Sequence, residues 1–150
     1  MNLSIKWLND FVNTDGIEIK EYCDRMTDTG SKVEGYEKLG EDVQNVIVAR
    51  VEKMARHENS DHLWVCQVNI GNETVQIVTG AQNVHEGDID PAAIPVAHLP
   101  GDITIKPGKL RGVESNGMLC SYHELGLTEH DMPGYEGDGI LILGEEFAEY

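Results

Sequence analysis

Lys106, Lys109, Arg111, Ser115, Asn116 and Ser121 stand close together in the chain. Cations, hydroxyls and a side-chain amide in one run are the donor set of a surface that grips a phosphate–sugar chain. The charges neutralise phosphate, and the neutral groups hydrogen-bond to it. Gly112 and Gly117 punctuate the same run, and glycine permits positive φ or a close backbone approach. Arg50, Lys53 and Arg56 form a second basic cluster upstream. Asn83, inside Gly80–Val84, can contact the same ligand or cap a turn. Equally, Lys109, Arg111 and Ser115 can belong to a solvated loop built around structural glycines.

Other chemistries find less support. Cys120 and His123 have a C-x2-H spacing, and His57 with Cys66 can be drawn in to complete a zinc site. Structural zinc needs four closely placed ligands, usually in paired knuckles, and one pair predicts a buried free Cys120 instead. Glu145/Glu146, or Asp131 near Glu136, can be read as metal or acid–base groups. No nucleophile accompanies them, so they predict a solvated acidic face. No phosphate-binding loop of the Walker type is present. The residues predict no catalytic centre and no metal.

Charge limits the first reading. Against 11 Lys and Arg stand 27 Asp and Glu, a net −16. Nucleic-acid binders usually carry the opposite balance. No Lys or Arg lies between Arg56 and Lys106, and none follows Arg111. Contact with a nucleic acid must therefore be local and weak, and at long range the chain repels it. The 150 residues suffice for one core and a small appendage. No apolar run approaches the roughly 20 residues of a membrane span, and no signal core opens the chain. Three cysteines suit reduced thiols in a cytoplasmic protein.

Strands must position most of these donors. Before them, Ser4 can cap a short helix carrying Ile5, Trp7, Leu8 and Phe11. A second helix is predicted from about Glu18 to Thr29, its Ile19, Tyr22, Cys23 and Met26 forming an apolar stripe and Gly30 its stop. Ser31–Leu39 alternates and predicts a strand. Gly40-Glu41-Asp42 marks a boundary. Strands follow at Val43–Met54, His62–Ile70 and Glu73–Val78, the last two joined by a Gly71-Asn72 hairpin. Pro95–Leu99 and Ile103–Ile105 flank Pro100-Gly101, Met118–Cys120 is a last short strand, and Ser121–Leu127 can make one helical turn. Within the acidic end, Gly139–Leu143 is a strand candidate. Five short strands with turn signals predict a small Greek-key barrel.

Three ordered segments carry a family resemblance. They are Met1–Val12; His57–Leu63 with Val65–Val68; and Ile77–Val84 with Leu99-Pro100-Gly101, leading into 109–127. The run 109–127 resembles the signature of the tRNA-binding oligonucleotide-binding (OB) fold appended to several synthetases, and the three segments together resemble the phenylalanyl-tRNA synthetase β-subunit family, the second being similar to its first barrel hairpin. The chain departs at Glu58 and Gln82, usually proline in the family, at His62, usually lysine, and in the loop 88–94.

The resemblance implies a mainly β chain with a small α+β appendage. Residues 1–40 would be the first part of a small α+β domain whose remainder lies beyond residue 150. Residues 41–150 would be a five-stranded OB-fold Greek-key barrel with an acidic extension. It implies a non-catalytic tRNA-binding or structural portion of a ligase that joins phenylalanine to tRNA with ATP and magnesium, none of which this portion would hold itself. The whole would be an α2β2 assembly, with catalysis in the α subunit and editing in later β domains. The RNA-binding candidates are Arg50, Lys53, Asn83, Lys106, Lys109, Arg111, Ser115, Asn116 and Ser121. A free-standing tRNA-binding chaperone-like barrel and a protein-interaction spacer without RNA contact are the other readings.

Overall fold

The structure, a computed structural model, describes residues 1–132, 135 and 139–148. The chain divides into two compact units, Met1–Leu39 and Gly40–Tyr150. No helix among the described residues is long and apolar enough to cross a membrane.

In the first unit the Ser4 hydroxyl accepts the Trp7 N–H at 3.2 Å and caps α1 (Ile5–Leu8). Trp7 and Phe11 meet edge to face, ring centroids 5.4 Å apart. In α2 (Ile19–Asp28) the predicted stripe Ile19, Tyr22, Cys23 and Met26 is the half-buried face, and the rest of the helix is exposed. Gly30 follows at φ 102°, the left-handed stop. The strand expected at Ser31–Leu39 does not form. Alternation alone makes no strand: its backbone groups need a neighbouring ladder, and among the described residues none pairs with this segment.

The second unit is a curled antiparallel sheet. Its strands are β1 (Gln44–Arg56), β2 (Trp64–Asn69), β3 (Thr74–Thr79), β4 (Ile89–Leu99), β5 (Ile103–Thr104), β6 (Gly108–Leu110), β7 (Val113–Ser115) and β8 (Met118–Leu119). The hydrogen-bonded order is β3-β2-β1-β4-β5, with β8 also on β4. Gly71, at φ 96°, takes the first central position of the β2–β3 turn, where a type II′ turn calls for glycine. β1 shifts register between Val51 and Lys53 and again between Gln44 and Val46. Those bulges bend it, so that it serves β2 along one half and β4 along the other. The free edge of β3 then meets residues 114–116. Asn116 N–H donates to Gln76 O at 2.8 Å, Gln76 Nε2 to Glu114 O at 2.7 Å, and Val78 N–H to Ser115 Oγ at 3.0 Å. The sheet thus comes round on itself as a small OB-type barrel, β1 to β4 being joined by the β7–β8 segment.

Four further elements differ from the sequence reading. β4 begins at Ile89 rather than Pro95. Pro91 and two nearby acids hide it, although Pro91 O takes the Cys120 N–H of the β8 segment. The β6–β7 hairpin falls where a loop was expected. Its turn residues Arg111 and Gly112 both have positive φ, 47° and 91°, a type I′ turn without its usual Asn-Gly. Ser121–Leu127 is a run of hydrogen-bonded turns rather than a helix, with Leu127 N–H donating to Tyr122 O at 3.0 Å. Of the candidate strand Gly139–Leu143 there remains one bridge, Ile89 to Leu143.

The core gathers Ala49, Val51, Cys66, Val68, Ile77, Val84, Ala92 and Leu119, beside a smaller cluster of Ala93, Ala97, Leu99 and Cys120. Burying each of the Val, Leu and Ile side chains among them stabilises by roughly 1.5–3 kcal/mol. Beside the core lies one unexpected group: Asp90 is fully buried, and neither carboxylate oxygen has a hydrogen-bond partner among the described residues.

Candidate nucleic-acid interface

At one end of the barrel the loop 57–63, between β1 and β2, lies against the β6–β7 hairpin. His57 joins them and is itself buried. Its Nδ1 accepts the Asn59 N–H at 3.0 Å, and its Nε2 stands 3.0 Å from Leu110 O. A donor on one nitrogen and a carbonyl at the other assign the neutral ring with its hydrogen on Nε2. From the hairpin tip, Arg111 donates to Asn59 O at 3.4 Å. From the end of β1, Arg56 donates to Asp61 O at 3.0 Å and lies 3.7 Å over the Trp64 ring. The carbonyls of one short loop therefore hold two guanidiniums. Lys109 faces Glu114 across the hairpin at 3.4 Å, both exposed, a pairing worth at most about 1 kcal/mol in water.

Arg50 is not part of this group. It sits six positions earlier on β1, about 20 Å away at the strand rise. There it donates to Gly87 O and pairs with Glu145, both at 3.0 Å. The hydrogen-bonded carboxylate raises the Arg50 pKa, and Arg50 in turn lowers that of Glu145. Lys53 is exposed between the two ends, and Lys106 is exposed just beyond β5.

The neutral candidates hold the fold. Ser115 is buried, and its hydroxyl accepts from Val78 N–H and donates to Gly117 O at 3.0 Å. Ser121 and Glu124 form a capping box: Glu124 Oε2 accepts the Ser121 N–H at 2.7 Å and its hydroxyl at 3.0 Å. Asn83 spends its amide on the backbone of Ile140. Asn116 is half-buried, its N–H on Gln76.

Arg56 and His57 were not among the candidates. Arg56 was visible in the upstream basic cluster, but only its stack on Trp64 sets it apart from Arg50. His57 entered the sequence reading only as a possible zinc ligand, and nothing there pointed to its bond with Leu110. Among the described residues no group of three or more His, Cys, Asp or Glu could hold a metal. Burial pushes the Cys66 thiol up to about 11 and that of Cys120 to about 12, so both stay protonated and poorly reactive near neutral pH. Glu145 is paired with Arg50, and Asp131 is bonded by Thr128; Glu136 lies outside the described residues.

The chain is 48% identical over 149 residues to the phenylalanine–tRNA ligase beta subunit of Clostridium tetani. It is 47% identical over 147 residues to that of Symbiobacterium thermophilum, and 44% identical over 146 residues to that of Oceanobacillus iheyensis. These alignments take in 97–99% of the chain but 16–18% of each relative, so the chain spans less than a fifth of their length. Residues 46–144 match the family described as "Putative tRNA binding domain". That match holds all but the first residues of β1, every later strand, loop 57–63 and the β6–β7 hairpin, and the chain belongs to this tRNA-binding domain family.

Proposed function

We propose that the chain is the non-catalytic, tRNA-facing portion of a phenylalanine–tRNA ligase beta subunit. One observation carries the reading: inside the matched residues, the carbonyls of loop 57–63 hold both Arg56 and Arg111 at one barrel end. A guanidinium already held in place loses little freedom on meeting a phosphate, and its remaining N–H groups suit bidentate contact. Lys109 and Lys106 extend the same end. Arg50 and Lys53 belong to a separate stretch, and Asn83, Ser115 and Ser121 act by holding the surface in shape. In the whole protein, ATP and magnesium serve the ligase reaction elsewhere, and an α subunit completes an α2β2 assembly in the cytoplasm.

A second reading has its own support. Arg50 and Lys109 are paired with carboxylates, and the chain carries −16, which suits a spacer that positions other domains without touching RNA. Titration with labelled tRNA at two salt concentrations separates the two. The binder gives a dissociation constant on the order of 10⁻⁵ M or weaker at physiological salt, with at most about three counterions released. Changing Arg111 and Lys109 together to alanine weakens it at low salt. No binding by the wild type at low salt establishes the spacer.

A further inference from the structure

A cleft of about 520 Å³ opens between the end of β3, the end of β5, the β6–β7 hairpin and the Ser121–Glu124 cap. Its wall includes Gly80, Lys106, Gly108, Met118, Glu124 and Ile140. Two of these glycines have no reason in the fold. Neither Gly80 nor Gly108 has positive φ. A Cβ on Gly80 would come no nearer than 3.7 Å to Leu63, and one on Gly108 no nearer than 3.9 Å to Lys106 O. Gly117 in the same wall is different: its Cβ would lie 2.8 Å from Ala93 O. A glycine that neither conformation nor packing requires weakens a strand or loop, and close approach of a ligand or another backbone is one of the common reasons for such a glycine.

The charged groups of the cleft say what approaches. Glu124 Oε2 is fixed by Ser121, and Oε1 has no hydrogen bond among the described residues, so an oriented acceptor remains. Lys106 is exposed and makes no ion pair among the described residues. An occupant with N–H donors on a flat edge and an anion at its other end meets both. We propose that the cleft takes one unpaired ribonucleotide with an amino-bearing base, guanine, cytosine or adenine. The base edge donates to Glu124, the ring lies against the bare backbone at Gly80 and Gly108, and the phosphate reaches Lys106. Splayed single nucleotides are the form in which proteins read RNA sequence. Uracil is disfavoured, because its one N–H lies between two carbonyls that face the carboxylate. The inference rests on the tRNA reading and adds a base preference to it.

Fluorescence anisotropy of the 150-residue chain at low ionic strength tests it, with labelled tRNA and short single-stranded oligo(C), oligo(A) and oligo(U). Oligo(C) and oligo(A) bind about tenfold tighter than oligo(U), the size of one good base contact. Gly80→Ala and Gly108→Ala abolish that preference while melting temperature is unchanged or rises. Glu124→Gln, which keeps the cap, removes the preference and leaves the salt-dependent part of binding. Equal affinity of the wild type for oligo(U) and oligo(C), or alanine variants that still discriminate, overturns the proposal. If tRNA binds without base preference, the cleft assignment falls and the tRNA reading stands. If neither tRNA nor any oligomer binds, both fall.

Discussion

Asn83 and Ile140 exchange both amide hydrogen bonds: Asn83 Nδ2 donates to Ile140 O at 2.9 Å, and Ile140 N–H donates to Asn83 Oδ1 at 3.1 Å. A side chain here imitates a strand, and it holds the end of the chain to the loop after β3. Gly139 beside it has no room for a Cβ, which would fall 2.6 Å from Asn83 Oδ1. Asn83→Ala leaves two half-buried backbone groups unpaired, at a cost of about 1–3 kcal/mol. Thermal unfolding is expected to show that loss.

Asp90 makes stability depend on pH in an uncommon direction. Burial first, and the charge of Asp88 second, push its carboxyl up to about 7; Cys66, the other titratable group facing it, stays a neutral thiol. The unfolded carboxyl titrates near 4. Between those values the folded chain holds a proton that the unfolded chain has released, so this group's contribution is whole below about pH 4. It is lost as pH rises toward 7. The loss amounts to roughly 4 kcal/mol across that window. Urea denaturation at pH 5 and pH 8 is the check, and Asp90→Val is expected to raise stability at pH 8 and flatten the slope.

His57→Ala removes the link between loop 57–63 and Leu110 without touching a cation. The expected cost is about 1 kcal/mol for the lost hydrogen bonds, since the exposed Asn59 N–H and Leu110 carbonyl can turn to water. Hydrogen exchange at 108–115 is expected to accelerate more than exchange in β2. Weakened tRNA binding should accompany it, because Arg111 loses its fixed place.

Val96 is a β-branched residue at φ 65° with an exposed side chain, a combination that costs of order 1–3 kcal/mol. Its N–H donates to Ile105 O, and its carbonyl accepts from Asn45, itself at φ 54°. Val96→Gly relieves the strain at some cost in chain entropy. A net gain of about 1 kcal/mol in denaturant unfolding is the expected outcome.

Much of this fold was legible because its signals are local. Ser4, the stripe of α2 and Gly71 each act within a few residues, and each stands where the pattern put it. The strand at Ser31–Leu39 failed for the converse reason: alternation describes a face, whereas a strand needs a partner elsewhere in the chain. β4 was cut short because Asp88, Asp90 and Pro91 look like a loop, and only the ladder to β1 makes them a strand. The candidate site divided along the same line. Lys109 and Arg111 could be picked out as charges in a glycine-rich run. Ser115 and Asn83 have the same donor chemistry, but their partners, Val78 and Ile140, lie 37 and 57 positions away, where no spacing rule reaches. Arg56 needed Trp64 beneath it to be told apart from Arg50.

The circle of strands has one thin joint. Among the described residues the closure along β3 rests on one backbone bond at Asn116 and two bonds through side chains, Gln76 and Ser115, whereas β1–β2 and β2–β3 are six-pair ladders, the first broken only by its bulge. Pairings so far apart in sequence form late, after the loop between them has been closed. Arg111 reaches Asn59 only when the first hairpin and the last have met. A half-folded barrel therefore carries its positive charges on separate arms, and the paired guanidiniums appear together with the finished ring.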